Sequence, residues 1–434
     1  MDTGVRDMGA EEPLPPVRTV RQVPRWSELR ELVQFRRPRF GRTARRLDGA
    51  LTVRDLRAAA QRTTPRAVFD YVDGAAEEEI TAARNVAAYR RVVFRPDALR
   101  SVADPDTGVE LLGRRLPLPL VFGPTGYTRM MHHHGEAAVA RVAQHVGVPY
   151  ALSTVGSTSI EDVRAAAPGA ELWFQVYYTS DRAMNEMLLS RAEAQGYSTL
   201  VLTVDTSVSG MRLRDVVNGL TIPPTLTAKT FLNMSRFPGW WLHKLTTPTI
   251  GFASLDEVEG NPSPAEVASM LFDPGLDFTS LDWLRARWAG PILVKGVTNP
   301  ASAREIMDHG ADGVVVSNHG GRQLDRTPAT LDVLPAIRAA VGPRATVLID
   351  GGILHGQDIV AARALGADAA MIGRAYLYGL MAGGQEGVLR AYRILAEEYQ
   401  RSMQLLGVRR TEDLSDRHVG FTPHGTGGYP DVSG

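Results

Sequence analysis

Short apolar runs rich in β-branched residues recur through the middle of the chain, at LPLVFG (118–123), YALST (150–154), LWFQVYY (172–178), TLVLTVD (199–205), ILVKG (292–296), GVVVSN (313–318), TVLIDG (346–351) and AAMIG (369–373). Each reads as a strand buried on both faces. Most segments between them carry a helical period, for example GEAAVARVAQHVG, SIEDVRAAA, ASAREIMDHG and GQDIVAARALG. Eight strand–helix units over ~250 residues predict an α/β fold, a (β/α)8 TIM barrel. The alternative, a doubly wound sheet, is disfavoured because no GxGxxG follows the first strand and no GxxxxGK[ST] occurs.

Upstream, Thr52 is placed to cap LTVRDLRAAAQR, and Pro65 to open a helix through PRAVFDYVDGAAEEEI, whose AAEEE (75–79) reads as a solvated helical face. The pattern divides the chain into a disordered leader (1–17), an arginine-rich segment with helices packing on the barrel (18–115), the barrel (116–407) and a C-terminal tail (408–434). Strand centres fall roughly 20 to 35 residues apart, except for ~90 between the fourth and fifth. The long insertion loop that results, 206–281, contains SRFPGWWLHKL with Trp240 and Trp241 adjacent. Two readings stay open for it: a packed excursion with its own small core, or a surface patch that meets a membrane or a redox partner.

Composition narrows the chemistry. Among 434 residues, 48 Lys+Arg balance 48 Asp+Glu, so the net basic footprint of a general nucleic-acid binder is missing. The absence of cysteine excludes disulfides, thiolate–metal sites, iron–sulfur clusters and a cysteine nucleophile. No apolar run reaches the ~18 residues of a membrane span, and MDTGVRDMGAEEPLPPV lacks a secretory pattern, so a cytoplasmic protein is expected. Ten arginines against two glutamates crowd residues 18–46, a local excess hidden by the overall balance. Lysine is scarce: Lys229, Lys244 and Lys295 are the three, and only Lys295 falls in a strand run.

In this fold the active site is assembled at the C-terminal ends of the strands. Those ends supply Pro124, Thr125 and Gly126; Ser153; Gln175 and Tyr177; Thr203 and Asp205; Lys295; Ser317, Asn318 and His319; Asp350, Gly351 and Gly352; and Gly373 and Arg374. His319 is the one histidine of the ring and can take a proton from a substrate hydroxyl if its cation is stabilised, a task for Asp205 across the mouth. Arg322, three residues on, suits a bidentate carboxylate. A capped loop histidine beside a surface arginine is the plainer reading; the position at the barrel mouth with Asp205 weighs against it. A buried Lys295 ammonium calls for an anionic ligand above it. The glycines of DGG and IGR, each followed by a helix, point to a phosphate site, with tight βα turns as the alternative. HHH (132–134) does not read as a metal site, since consecutive histidines point in different directions and no carboxylate–histidine set stands at ligand spacing.

At these residues the sequence resembles the FMN-dependent L-2-hydroxy-acid dehydrogenase/oxidase family, which includes glycolate oxidase, lactate oxidase and mandelate dehydrogenase. SNHGGRQLD is a highly specific motif, and TVDT, FQVYY, LVKG and IDGG surround it in the family's order, from about Leu51 to Gly407. The resemblance implies an FMN cofactor, with His319 as base, Asp205 as its partner, and Arg212 and Arg322 on the substrate carboxylate, helped by Tyr71. It places Tyr177 on the substrate hydroxyl and Lys295 beside the flavin N1/O2 edge. Pro124, Thr125, Gly126, Ser153, Gln175, Thr203 and Ser317 would line the flavin, and Asp350, Gly351, Gly352, Gly373 and Arg374 would hold ribityl and phosphate.

Two positions depart or discriminate. Where the family commonly has a phosphate-reaching arginine two residues after DGG, this chain has Leu354, followed by His355, so His355 or Arg374 is expected to substitute. Gly126 stands where several oxidases carry alanine, and the extra room over the flavin resembles bacterial membrane-associated L-lactate and mandelate dehydrogenases. PGWWLHK and YLYGLMAGGQEGV are similar to the bacterial lactate enzymes. The resemblance thus implies an L-lactate dehydrogenase that passes electrons to a quinone or cytochrome and forms a homo-oligomer (tetramer or octamer), while Trp240-Trp241 and the arginine-rich 18–46 segment motivate a peripheral contact on the inner face of the membrane. The rivals are an oxidase or dehydrogenase of a bulkier, mandelate-like acid, and a non-catalytic flavin-binding protein.

Overall fold

The computed structural model describes residues 19–23, 25–32, 41–219, 235–255 and 273–422. The leader 1–17, the end of the tail and two stretches of the insertion lie outside the described residues. The chain divides into two compact units, Met1–Gly41 and Arg42–Gly434. In the first, the described residues form one short helix, Trp26–Leu32.

The second unit is built on eight parallel strands, β1 (Leu120–Phe122), β2 (Tyr150–Ser153), β3 (Leu172–Val176), β4 (Thr199–Thr203), β5 (Ile292–Val297), β6 (Gly313–Val316), β7 (Thr346–Ile349) and β8 (Ala369–Ile372). They hydrogen-bond in sequence order, and β8 pairs with β1 to close the barrel. All eight predicted strands are present. Most end one or two residues before the apolar-run reading, which leaves Tyr177, Asp205, Ser317 and Asp350 just beyond their strands, in the loops of the mouth.

The two faces of each strand have different tasks. Val121, Ala151, Trp173, Val201, Leu293, Val315, Leu348, Ala369 and Met371 form one buried cluster with Val109, Leu111 and Leu116. The last three come from the antiparallel hairpin of Val109–Leu111 and Arg114–Leu116. The alternate residues, such as Leu120, Phe122, Leu152, Phe174, Leu200, Leu202 and Val294, join a second, larger cluster with the surrounding helices. Side chains alternate with period two along a strand, so the positions two residues past the interior apolar set carry the next layer toward the mouth.

Upstream, Thr52 caps the helix Val53–Thr63 in a reciprocal capping box with Asp55. The helix opened by Pro65 runs only from Arg66 to Asp73, and a second begins at Ile80. AAEEE is therefore a turn, not a helical face. Its backbone is used elsewhere: the Ala76 N–H donates to the Gly321 carbonyl (2.8 Å) and the Glu77 N–H to the Met211 carbonyl (2.8 Å). Glu79 accepts from the Ala75 N–H and pairs with Arg214. Tertiary bonds to two mouth loops thus replace the helical ladder. Among the described residues no helix is long and apolar enough to cross a membrane.

Glu136 is fully buried, and its carboxylate accepts from the Thr128 and Ser157 N–H groups and from the Ser157 and Thr158 hydroxyls. It ties the loop after β1 to the loop after β2. Glu136→Gln would turn an amide N–H₂ toward these donors, so the variant is expected to lose about 2–4 kcal/mol of stability. Denaturant unfolding measures this; an unchanged midpoint would remove Glu136 from that role.

Candidate active site

A cavity of about 1060 Å³ opens at the C-terminal ends of the strands. Its polar lining follows from the period-two alternation. Interior Ala151, Trp173, Val201, Leu293, Leu348 and Met371 are followed two residues on by Ser153, Gln175, Thr203, Lys295, Asp350 and Gly373, all on the cavity wall. Pro124, Thr125, Gly126, Tyr177, Gly351, Gly352, Arg374, His319, Arg322, Arg212 and Tyr71 complete the predicted set there. Asp205 and Ser317 are not on the wall; each stands behind a residue that is. Asp205 bonds His319, and Ser317 accepts from the Lys295 ammonium (3.1 Å) and the His319 N–H (3.1 Å).

His319 has a left-handed backbone, φ 55°, just beyond β6. Its Nδ1 lies 2.9 Å from Asp205 Oδ1, with the imidazole 24% exposed and the carboxylate 12%. Burial alone would raise the Asp205 carboxyl, but the positive charge of His319 and Lys295 and the bond to His319 bring it below the ordinary value. The loop is locked from behind by a reciprocal amide pair, Asn85 to Asn318 (2.8 Å) and back (2.9 Å).

A carboxyl whose folded pKa is depressed adds stability that is full above its unfolded value, ~3.9, and is lost as pH falls through the folded value. The stability gap between the wild type and Asp205→Asn is thus expected to be widest near neutrality and to shrink below about pH 4. Thermal melting across pH reads it; a gap independent of pH would contradict the assignment.

Lys295 does not wait for a ligand to balance it. Its ammonium is buried and pairs with Asp350 Oδ2 at 3.2 Å. Burial favours the neutral amine, yet Asp350 and Asp205 outweigh it and raise the Lys295 pKa. The cation is therefore permanent, and it faces the cavity.

Arg212 and Arg322 both approach the Tyr71 ring, at 5.7 and 4.9 Å from its centroid. Arg322 also donates to the Tyr71 and Gly74 carbonyls (2.5 and 3.1 Å). Burial and then repulsion from Arg212 lower its pKa to about 10, so it stays charged at neutral pH. Asp215 accepts from Arg212 at 2.9 Å and also lines the cavity. The sequence reading missed Asp215, although its i,i+3 spacing from Arg212 was the available signal. Burial raises the Asp215 carboxyl in spite of Arg212. Two guanidiniums against one weakened carboxylate leave an excess of positive charge at this end.

The cradle at the other end differs from the sequence reading in three ways. Helix Gly356–Ala364, after β7, has its N-terminus filled by protein carboxylates: Asp358 accepts from the Leu354 and His355 N–H groups (2.8 Å each), and Glu398 from the Gly356 N–H (2.7 Å). It is not free for phosphate. His355 turns to Glu398 (3.4 Å) and does not line the cavity. Arg374 lines the cavity while donating to the Val72, Gly320 and Gly74 carbonyls (3.0, 2.7 and 2.8 Å). The helix that starts at Arg374 has no side-chain cap, and Gly373 and Arg374 at its start line the cavity. Gly351 and Gly352 adopt φ of 91° and 84°, and a Cβ on Gly352 would stand 2.8 Å from the Asn85 backbone, so the tight turn by itself explains both glycines.

At Gly126, a Cβ would fall 2.5 Å from Val155 Cγ2. The space a Cβ would take at Gly126 is thus occupied by the Val155 side chain. Buried polar atoms still without a partner in this wall are Gln175 Nε2 and Asp350 Oδ1. A free buried donor on the same cavity wall as the permanent Lys295 cation fits the carbonyl-rich, electron-accepting ring of a flavin, and the uncapped helix start fits its phosphate. The residues present therefore fit FMN.

Comparison with known proteins places the site in a family. The family model described as FMN-dependent dehydrogenase matches residues 60–420. A Mycobacterium tuberculosis protein provisionally named as an L-lactate dehydrogenase is 48% identical over 399 residues, 92% of this chain and 96% of that protein. The L-lactate dehydrogenase of Caulobacter vibrioides is 41% identical over 373 residues, 83% of this chain and 95% of that one. Among solved structures, the monotopic membrane protein (S)-mandelate dehydrogenase superposes with a TM-score of 0.83 at 35% identity, covering 86% of this chain and all of that one. The chain belongs to the FMN-dependent dehydrogenase family. It is an oxidoreductase whose cofactor is FMN.

Proposed function

We propose that this dehydrogenase oxidises L-2-hydroxy acids, with L-lactate converted to pyruvate, and passes the electrons to a quinone or cytochrome. The observation that carries the reading is one cavity in which a carboxylate-backed imidazole faces two guanidiniums and a buried ammonium. A 2-hydroxy acid needs a clamp for its carboxylate and a base for its proton. Arg212 and Arg322 hold the carboxylate, with the Tyr71 ring packed against both guanidiniums. Tyr177, whose phenol is pushed up by burial and by Asp205, keeps its proton and hydrogen-bonds the substrate hydroxyl. His319 accepts one of the two substrate hydrogens as a proton, and Asp205 holds the ring tautomer and stabilises the imidazolium. The bound FMN would supply the acceptor for the electron pair together with the second substrate hydrogen. Pro124, Thr125, Gly126, Ser153, Gln175 and Thr203 would line it, Ser317 would position Lys295 to hold negative charge beside it, and Asp350, Gly351, Gly352, Gly373 and Arg374 would take its ribityl and phosphate end.

The names of the 48% and 41% identical relatives favour lactate. The likeness to mandelate dehydrogenase supports a bulkier acid as the second reading. Measuring kcat/KM for L-lactate, L-mandelate and their D-isomers decides between them: lactate first supports the proposal, and mandelate at least tenfold better replaces it. Reduced enzyme that returns its electrons to a quinone analogue much faster than to oxygen supports the acceptor class; the reverse order makes the protein an oxidase.

Peripheral membrane contact rests on apolar side chains in the described parts of the insertion. Val208, Met211, Val216, Val217, Leu242 and Leu245 are all more than half exposed, an apolar load unusual for a water-facing loop. A relative in the same structural class is described as membrane-associated. Co-sedimentation with anionic liposomes that persists unchanged after Val216→Ser/Val217→Ser and Leu242→Ser/Leu245→Ser would count against it.

A further inference from the structure

The histidines at 132–134 do not diverge as the sequence reading expected. One ligand-capable nitrogen from each of the three lies within 4.8 Å of the other two. The segment leaves the short helix Thr128–Met131 with His132 in an extended conformation and His134 helical, which folds the three rings together, with centroids 4.3 to 4.6 Å apart. A fourth ring arrives from the insertion: His243, on helix Pro238–Leu245, stacks on His133 at 3.9 Å. That helix is held against the same segment by the Trp240 indole N–H, which donates to the Met130 carbonyl (3.1 Å).

The floor of the cluster is the break in the long C-terminal helix at Gly383–Gly384. A Cβ at Gly384 would lie 2.8 Å from His132 Cε1, 2.9 Å from His134 Nδ1 and 3.1 Å from His132 Nε2, so the edges of two rings close on a space that only glycine leaves open. None of the four histidines belongs to the flavin cavity.

We propose that His132, His133 and His134 form a binding site for a divalent transition-metal ion, and that His243, stacked on His133, couples helix 238–245 to that site. The donor set consists of imidazole nitrogens, which favour zinc, nickel or copper over the oxygen-seeking calcium and magnesium. Ligation needs neutral rings. The charged groups acting on the rings are Arg46, Arg129 and Arg141. Without a carboxylate to favour hard cations, affinity must come from the nitrogen lone pairs. Ligation through His132 Nε2 puts its ring proton on Nδ1 and gives up the 3.2 Å bond from the His134 N–H.

The test uses the full chain loaded with FMN and free of any added histidine tag. Titration with ZnCl₂ and NiSO₄ is expected to give saturable binding of one ion per chain, a rise in melting temperature, and slower amide exchange across 238–245. The His133→Ala/His134→Ala variant is expected to bind at least about tenfold more weakly and to lose the melting shift, while substrate still reduces its flavin normally. His243→Ala should lose the exchange protection of 238–245. Absence of saturable binding, or an unchanged shift in the double variant, overturns the site. Because the readouts are affinity, melting and exchange, they stand apart from whether the protein oxidises L-lactate.

Discussion

Replacing His319 by glutamine is expected to slow anaerobic flavin reduction by L-lactate about 10²–10⁴-fold, the range that a positioned general base contributes, while FMN stays bound. The expectation follows from placement. His319 is the histidine on the cavity wall, its Nδ1 is occupied by Asp205 at 2.9 Å, and so Nε2 is the nitrogen left for substrate. Glutamine cannot accept and hold a proton at neutral pH, although it preserves bulk and hydrogen bonding. Binding of a non-reactive acid such as oxalate should survive, because the carboxylate clamp belongs to Arg212 and Arg322. Stopped-flow reduction with oxalate titration separates the two effects. A near-native reduction rate in the variant would remove His319 from proton transfer.

Arg212→Met is expected to lower kcat/KM for L-lactate by about 10²–10³-fold, roughly 3–4 kcal/mol, the loss typical of one partner of a hydrogen-bonded charge pair. Arg212 gives a cleaner test than Arg322, which also supports the backbone at Tyr71 and Gly74. Removing Arg212 leaves Asp215, already raised by burial, without its cation in the wall of the cavity. Substrate carboxylate then meets one guanidinium and a carboxyl in place of two guanidiniums. Asp215→Asn in the Arg212→Met background is expected to recover part of the affinity. If the double variant binds no better than the single, Asp215 does not act on the substrate charge.

The barrel was legible because its strands are short, apolar and separated by helical periods, and because the period-two pattern carries past the strand ends. Trp173 followed by Gln175, Leu293 by Lys295 and Leu348 by Asp350 place an apolar plug below and a polar wall above. What sequence reasoning misjudged depends on contacts between distant segments. AAEEE has helix-forming composition, yet its N–H groups bond Gly321 and Met211. Lys295 seemed to require an anionic ligand, yet Asp350, 55 positions on, already pairs with it. Glycines after β7 seemed to open a helix start to phosphate, yet Asp358 and Glu398 fill it. Asn85, which holds Asn318 in place, carries no local signal at all. The three histidines diverge only if the backbone stays regular, and at His132 it does not.

The central claim is that a carboxylate-backed histidine and two arginines act together on an L-2-hydroxy acid above FMN. Anaerobic mixing of the flavin-loaded protein with one equivalent of L-lactate tests it most directly. Bleaching of the flavin band with formation of one equivalent of pyruvate, absent with D-lactate, is the predicted result. A flavin that remains oxidised with L-lactate and with every other L-2-hydroxy acid would contradict the account.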